Sequence, residues 1–371
     1  MPTVNAMLED ESISHAVSLQ QYSLGVVRRM IALLNRADAE LSAQLALVTE
    51  GLPPTQFTTE RLNSLLGSVR AINQQAYAMV EQALNKDLQD LAAYEAQWQY
   101  DLFNNTIPEP VLVRFPIASI TGDQVYAAAM SRPFQGSLLR DWAKNIEADR
   151  MVKVRNAVRQ GYIEGKTTAD IVRSIRGTRA NAYADGFLQR PRKDLEAVVR
   201  TAISHTASTA RAEFTRANSE IIKAEKWVST LDTKTSEMCR IRDNKQYTAI
   251  EHKPIGHKVP WLQGPGKIHW NCRSTDSPVT KSWRELGIDI DEMTPAERAS
   301  MDGQVPADQD YNTWLSKQSA ARQERVLDPE RYQLVKSGKV TMDQLYSPNG
   351  TFLTIEQLKE RDRVEMPRRA A

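Results

Sequence analysis

The chain has only two cysteines in 371 residues, and aromatic residues make up just 7% of it. Two cysteines are too few for the disulfide framework of a small secreted protein. The sequence also lacks an uninterrupted apolar stretch long enough to cross a bilayer, and its polar, acidic first eleven residues do not resemble a signal peptide. We therefore expect a soluble protein without a membrane partner, located in the cytoplasm of the cell that makes it, where thiols stay reduced.

The charges are unevenly distributed along the chain, although the net charge is only +2. Residues 1–149 have 10 Lys and Arg against 17 Asp and Glu, a net charge of −7, and residues 150–226 have 16 against 8, a net charge of +8. Such a separation favours oriented association. The basic segment is thus either a surface for DNA or an acidic protein, or simply a solvated helical face.

Two long helices are predicted in the N-terminal third. Apolar residues recur at helical spacing from Gln20 to Val48 and from Thr59 to about Phe103. The second helix would be roughly 65 Å long, which indicates a hairpin or a coiled-coil-like arm. Its apolar stripe is narrow, so we predict that residues 1–105 form a partner-docking arm whose deletion leaves residues 136–285 folded. A plain intramolecular hairpin is the alternative.

The remainder of the chain mixes helices with loops. Prolines predict a linker over residues 106–135, with at most a short strand from Val111 to Phe115. Helices are predicted after Gly136, from Thr167 to Gly177, and from Lys193 to about Ala224. The predicted fold class is α+β and predominantly helical, with a small mixed core at 136–285, a loop-rich closure and an α-rich C-terminal extension at 286–371.

Both cysteines lie in the segment from Trp227 to Arg273, which we call the closure region. Its motifs in order are Trp227, Asp232-Thr-Lys-Thr235, Cys239 and His269-Trp-Asn-Cys272-Arg273. Glycines and prolines between the cysteines indicate loops. We predict a structural knot in which the Trp227 strand lies beside the closing segment, the two cysteines come close together, and Arg273 pairs with Asp232 through two hydrogen bonds.

Three chemical interpretations of the cysteines remain open. Zinc prefers four nitrogen or sulfur ligands, and Cys239, His269 and Cys272 could be joined by His252 or His257. The sequence has no Cys-x-x-Cys pair, and a disulfide conflicts with a reducing site of assembly. We therefore favour two partly buried thiols, with His269 bonded to a loop, and we expect no cofactor. Replacing both cysteines with serine should lower stability modestly.

Several motifs, in their order and spacing over residues 136–283, resemble the Mu F-type head morphogenesis proteins of tailed bacteriophages. They are Gly-x-x-x-Gly-Lys-Thr-Thr-x-Asp-Ile-Val-x-x-Ile-Arg-Gly at 161–177, Arg200-Thr201, Trp227 with Asp232-x-x-Thr235, and His269-x-x-Cys272-Arg273. Residues 308–358 are similar to the tail of some phage minor head proteins. The chain departs from the family pattern at Ala202, where a Glu is expected, and at Trp270, which replaces a Pro. Ser236 and Ser274 stand where many members have further cysteines.

The resemblance implies a minor head protein of the virion, bound at the portal vertex and active in procapsid assembly in the host cytoplasm, with roles in DNA packaging or ejection. Its implied partners are the portal protein, the major capsid or scaffolding protein, and packaged double-stranded DNA bound without sequence preference. The structural motif would comprise Trp227, Asp232, Thr235, Cys239, His269, Cys272 and Arg273. The DNA-binding candidates are Arg155, Arg159, Arg173, Arg176, Arg179, Arg190, Arg192 and Lys193.

An enzyme is the alternative to a structural protein. Family cores of this kind have been associated with ADP-ribosyltransferase-like domains, and the histidines of the closure region could suggest a nuclease. However, Gly264-Pro-Gly266-Lys267 is not a phosphate-binding loop, and no set of positioned catalytic groups can be recognised. We therefore predict no catalytic residues. The competing hypothesis is an ejected internal protein that binds or modifies DNA.

Overall fold

The structure is a computed structural model in which the predicted α+β, predominantly helical fold is confirmed. It describes residues 3–49, 59–164, 166, 168–181, 185–186, 189–289, 297–300, 303–306, 309–347 and 351–358. The α-helices are α1 (Val4–Thr49), α2 (Thr59–Thr106), α3 (Glu109–Arg114), α4 (Gly122–Ser131), α5 (Leu139–Ile163), α6 (Thr168–Arg176), α7 (Gln189–Ala217), α8 (Glu237–Arg240), α9 (Tyr311–Ser316), α10 (Ala320–Leu327) and α11 (Pro329–Lys336). The strands are β1 (Ile222–Val228), β2 (Gln246–Thr248), β3 (Pro254–Ile255), β4 (Thr275–Thr280), β5 (Glu297–Ser300) and β6 (Gly303–Pro306).

The chain divides into two compact units. Unit 1 consists of Met1–Ser18, Glu95–Thr121 and Ala207–Ala371, and unit 2 consists of Leu19–Tyr94 and Gly122–Thr206. Each unit is therefore assembled from separate stretches of the chain. None of the helices in the described residues has an apolar stretch of the length that a bilayer requires.

Unit 2 is helical. The parts of α1 and α2 that belong to it run antiparallel, because Tyr22 donates to the Asp87 carbonyl over 3.3 Å while Leu41 and Val69 share one apolar cluster. Helices α5 and α6 complete that cluster with Val154 among other residues. The long helix predicted from Thr59 is confirmed by α2. The Gly51-Leu-Pro-Pro54 segment lies outside the described residues.

Unit 1 is built around an antiparallel four-stranded sheet in the order β3-β2-β1-β4. Strand β1 is central and sets Trp227 opposite Asp276 of β4. The apolar core of this unit includes Phe103, Phe214 and Trp283. The ring centroids of Phe103 and Phe214 are 4.9 Å apart. The start of α1 and the end of α2 enter this core, so it contains residues from very distant parts of the chain.

This packing argues against the predicted separability of residues 1–105. Val4, Leu8, Leu102 and Phe103 are buried in the core of unit 1. Deleting residues 1–105 would expose the apolar surface that they cover, at a cost of about 2–5 kcal/mol for each large side chain. The docking function proposed for the arm therefore has to be tested by substitutions on its surface.

The predicted strand from Val111 to Phe115 is wrong, because this stretch lies largely in α3. Pro108 is the N-cap residue of α3 and Pro110 lies in its first turn, where the missing N–H costs nothing. The segment predicted as a linker also contains α4. Prolines here start a helix, whereas the sequence analysis took them to exclude one.

Helix α7 ends seven residues earlier than predicted, at Ala217. Asn218 follows it, and its side-chain amide accepts from the Ala118 N–H over 2.8 Å and donates to the Ala118 carbonyl over 3.0 Å. The chain then enters β1 at Ile222. The helix therefore ends beside a contact between residues that are 100 positions apart in the chain. The local spacing of apolar residues cannot predict such a contact.

Candidate functional site

The first turn of the closure region is hydrogen-bonded to the last residue of that region. Asp232 accepts the N–H of Lys234 over 2.9 Å, and Arg273 donates to both carboxylate oxygens of Asp232 over 2.5 and 2.8 Å. Burial alone would raise the pKa of Asp232, but the hydrogen bonds and charge of Arg273 outweigh it, and the pKa lies below its ordinary value. The predicted pair is present, and it joins the two ends of the closure region.

The two cysteines lie next to each other beside a histidine. Cys239 is in α8, whose N-cap residue Ser236 accepts the Cys239 N–H over 3.3 Å. The Cys239 sulfur is 3.7 Å from the Cys272 sulfur and 3.3 Å from Nε2 of His269. Both cysteines are buried and free. The structure thus brings together three groups that the sequence separates by up to 33 residues.

The histidine ring is held in one orientation. Nδ1 of His269 lies 2.9 Å from the carbonyl of Trp270, which can only accept, so Nδ1 carries a proton. In the neutral ring Nε2 is then the acceptor, and it lies 2.7 Å from the hydroxyl of Ser236. The lone pair of Nε2 therefore points into the space shared by Ser236 and Cys239.

The two thiols have opposite pKa shifts. Hydrogen bonds lower the pKa of Cys272 to about 7 against the effect of burial; the largest contribution comes from the Cys239 thiol, and smaller ones come from the backbone N–H groups of Ser274 and Gly266. The hydrogen bond between the two sulfurs and burial raise the pKa of Cys239. The arrangement therefore favours a thiolate on Cys272, with the remaining proton on Cys239.

A buried arginine that the sequence analysis did not identify supports this cluster. Arg242 donates to the carbonyls of Pro260 and Met238 over 2.9 and 2.6 Å, and its guanidinium lies 5.7 Å from the ring centroid of Trp227. It thereby connects α8, the loop before the second cysteine, and β1. The sequence contains no signal for this role, because Arg242 lies in the charged run Arg240-Ile-Arg-Asp-Asn-Lys245, where a solvated side chain is the usual expectation.

The C-terminal extension packs on the same region. Tyr311 donates to the Asp232 carbonyl over 2.8 Å, and Arg240 donates to the carbonyls of Thr235 and Val326 over 2.7 and 3.2 Å. Leu231 belongs to the same apolar core as Tyr311. The turn of the closure region thus needs residues from the extension, which the sequence analysis treated as separate.

The other histidines proposed as zinc ligands lie elsewhere. Nε2 of His252 is 2.9 Å from the buried carboxylate of Glu225, and its ring stacks on Trp261 at a centroid distance of 4.6 Å. Nε2 of His257 donates to the Gln246 carbonyl over 2.9 Å. Among the described residues, the group with metal-ligand geometry consists of Cys239, His269 and Cys272 alone.

Residues 152–276, a third of the chain, match the family model described as Phage Mu protein F like protein. This segment is similar to the Mu F-type family of phage head morphogenesis proteins. No curated protein and no solved structure matches the chain. The Mu F match extends from α5 to the start of β4 and includes the whole closure region.

The basic residues of the Mu F segment have different environments. Arg192 donates to the buried carboxylate of Asp38 over 2.5 Å, and Arg150 is paired with that same carboxylate. Arg173 is exposed but pairs with Asp170 over 2.7 Å. Arg155, Arg159 and Lys193 are exposed. The side chains of Arg176, Arg179 and Arg190 lie outside the described part of the structure.

Arg192 is therefore a poor candidate for DNA binding, contrary to the expectation from the sequence. Only 17% of its side chain is exposed, and its partner Asp38 is 3% exposed. Turning the guanidinium outward would leave a buried carboxylate with one partner fewer, which is costly in a medium of low polarity. Arg192 instead stabilises unit 2, together with Arg150.

Proposed function

We propose that this Mu F-type protein is a minor head protein that binds the portal protein and acts in procapsid assembly at the portal vertex. The match of residues 152–276 to a family of phage head proteins carries the proposal. The closure region supports a structural role, because its Asp232, Arg242 and Arg273 side chains form hydrogen bonds that hold its own segments together. We propose accordingly that the protein works in assembly without catalysing a reaction.

The surface of the helical hairpin supports a role in docking. Leu24 of α1 and Met79 and Tyr94 of α2 are large apolar residues with 38%, 45% and 56% of their surface exposed. Residues 1–149 also have a net charge of −7, from 10 basic and 17 acidic residues. Large exposed apolar side chains provide contact area for a partner, and the acidic charge favours a basic surface on that partner. We propose that this surface contacts the portal protein, with the major capsid or scaffolding protein as further partners.

Co-purification with the portal protein tests this assignment in the full-length chain. Met79→Glu and Tyr94→Glu should reduce portal capture at least tenfold without unfolding the protein, because both side chains are already exposed. Ile250→Glu is a matched control, since Ile250 is 51% exposed but belongs to the closure region. Undiminished capture by both arm variants would show that the portal contact lies elsewhere.

Virion composition tests the proposed class of protein independently of the docking surface. A minor head protein should be present in purified particles at low copy number compared with the major capsid protein. Quantitative mass spectrometry of intact and DNA-emptied particles measures this number. Particles that assemble normally and contain no copies would exclude a minor head protein, and copies lost together with the DNA would favour the ejected internal protein.

The exposed cations support a second contact, with packaged DNA. Arg155 and Arg159 are one helical turn apart on α5, and Lys193 is exposed near the start of α7. Residues 150–226 have a net charge of +8, from 16 basic and 8 acidic residues. We propose that these side chains bind phosphates of double-stranded DNA without reading its sequence.

A further inference from the structure

Three metal-ligand atoms converge inside the closure region. The two sulfurs are 3.7 Å apart, the Cys239 sulfur is 3.3 Å from Nε2 of His269, and all three atoms lie within 4.8 Å of one another. Both cysteines are buried, and the histidine is partly buried. Sulfur and imidazole nitrogen at such distances can share one ion, so this cluster differs from exposed groups that meet by chance.

The distances fit a tetrahedral zinc ion. Zn–S bonds of about 2.3 Å and Zn–N bonds of about 2.0 Å place two sulfurs about 3.8 Å apart, and a sulfur and a nitrogen about 3.5 Å apart. The observed separations of 3.7 and 3.3 Å are within a few tenths of an ångström of these values. A disulfide would require the sulfurs to approach to about 2.0 Å. These two separations therefore match the edges of a zinc site much better than a covalent bond, and the third pair, the Cys272 sulfur and Nε2 of His269, lies within 4.8 Å.

The groups around the ligands are also arranged as metal sites require. The Trp270 carbonyl accepts from Nδ1 of His269 over 2.9 Å, which leaves Nε2 available as a ligand and fixes the ring. The backbone N–H of Cys239 donates to the Ser236 hydroxyl over 3.3 Å at the start of α8, which fixes the position of the first cysteine. These contacts hold two of the ligands in place before any ion binds.

We propose that Cys239, His269 and Cys272 bind one zinc ion. A water molecule beside the Ser236 hydroxyl would be the fourth ligand of the ion. Ser236 is the polar group next to the cluster, 2.7 Å from Nε2 of His269. The ion would connect α8 to the closing segment, in parallel with the pair of Asp232 and Arg273. The proposal does not depend on portal or DNA binding.

Metal loading of the full-length chain tests the site. Purified, reduced protein should bind one zinc per chain, and Co²⁺ used as a probe should give a thiolate-to-metal charge-transfer band of a tetrahedral complex. Losing an outer hydrogen bond typically costs about 10–100-fold in affinity. Losing a ligand in Cys272→Ser or His269→Ala should therefore cost more than about 100-fold. His257→Gln is the matched histidine control and should bind as the unchanged protein does.

A variant that adds a ligand keeps the test decisive if a ligand-removing variant fails to fold. Ser236→Cys would supply a third thiolate at the fourth position and should tighten zinc binding at least tenfold, with a stronger charge-transfer band. The proposal is overturned if neither the unchanged chain nor Ser236→Cys binds stoichiometric metal. It is equally overturned if binding persists in a folded Cys272→Ser variant, because the metal would then lie elsewhere.

Discussion

Arg273 and Asp232 form a bidentate ion pair across 41 residues, with N–O distances of 2.5 and 2.8 Å. The Asp232 side chain is 20% exposed and that of Arg273 is 28% exposed, so water screens the pair only in part. The carboxylate also accepts from the Thr235 hydroxyl over 3.1 Å. One carboxylate thus organises the first turn of the closure region and holds its last segment.

Removing either member of this pair should destabilise unit 1. We expect Asp232→Ala and Arg273→Ala each to lower the free energy of unfolding by roughly 2 kcal/mol, because the partner loses charge-assisted hydrogen bonds in a partly buried site. Chemical denaturation measures the change. Asp90→Ala is the control, since the pair of Lys86 and Asp90 is more than half exposed and should contribute about 0.5 kcal/mol or less. Equal effects at the two sites would contradict the interpretation.

The contribution of Asp232 should depend on pH in the acidic range. Its pKa in the folded protein lies below the ordinary value of about 3.9, so the stability that it contributes is fully present above about pH 4 and is lost as the pH falls through the folded pKa. The difference in stability between the unchanged chain and Asp232→Asn should therefore be constant near neutrality and shrink below about pH 4. A difference that grows on acidification would contradict this sign.

Removing the C-terminal extension should unfold the closure region. Tyr311 and Trp314 are buried against Leu231, and burying large side chains of this kind contributes about 3–5 kcal/mol each. Their loss approaches the total stability of a typical domain, which is about 5–15 kcal/mol. A chain that ends at residue 306 should lose its cooperative thermal transition in unit 1. A chain that ends at Leu358 keeps every residue of this core within the described part of the chain and should melt like the full protein.

Neutralising the exposed cations should weaken DNA binding uniformly over different sequences. In a filter-binding titration, Arg155→Ala, Arg159→Ala and Lys193→Ala combined should lower affinity and reduce the slope of log K against log salt by about 1 for each lost phosphate contact. A triple substitution of exposed lysines in unit 1 provides the control with the same loss of charge. Those lysines are Lys234, Lys253 and Lys339.

Equal losses of affinity in the two triple variants would indicate only a general charge effect. No retention of DNA at low salt would exclude the contact.

Arg192→Ala separates an effect on DNA binding from an effect on folding. Arg192 is paired with buried Asp38, which keeps Arg150 as a second partner, so its removal should lower the stability of unit 2 by about 1–3 kcal/mol, the cost of a lost hydrogen bond to a charged group. Lys193→Ala, one residue away, should leave stability unchanged within about 0.5 kcal/mol.

Features that depend on neighbouring residues were predictable from the sequence. The apolar spacing that predicted α2 and the glycines around α6 operate over a few turns of helix, and the structure has both helices. The nearness of Cys239 and Cys272 and the pairing of Asp232 with Arg273 were also anticipated. These followed from the order of the motifs, because Asp232 and Arg273 flank the two cysteines in the sequence.

Features that depend on distant contacts were decided by the tertiary structure. Prolines mark both the starts of helices and extended segments, so the sequence could not distinguish α3 from a strand. Asn218 ends α7 through Ala118, and Asp38 draws Arg192 inward from the surface. The meeting of Cys239, Cys272 and Nε2 of His269 at ligand distances also requires the folded backbone. In each case the deciding energy comes from burying or pairing groups far apart in the chain, which no local pattern contains.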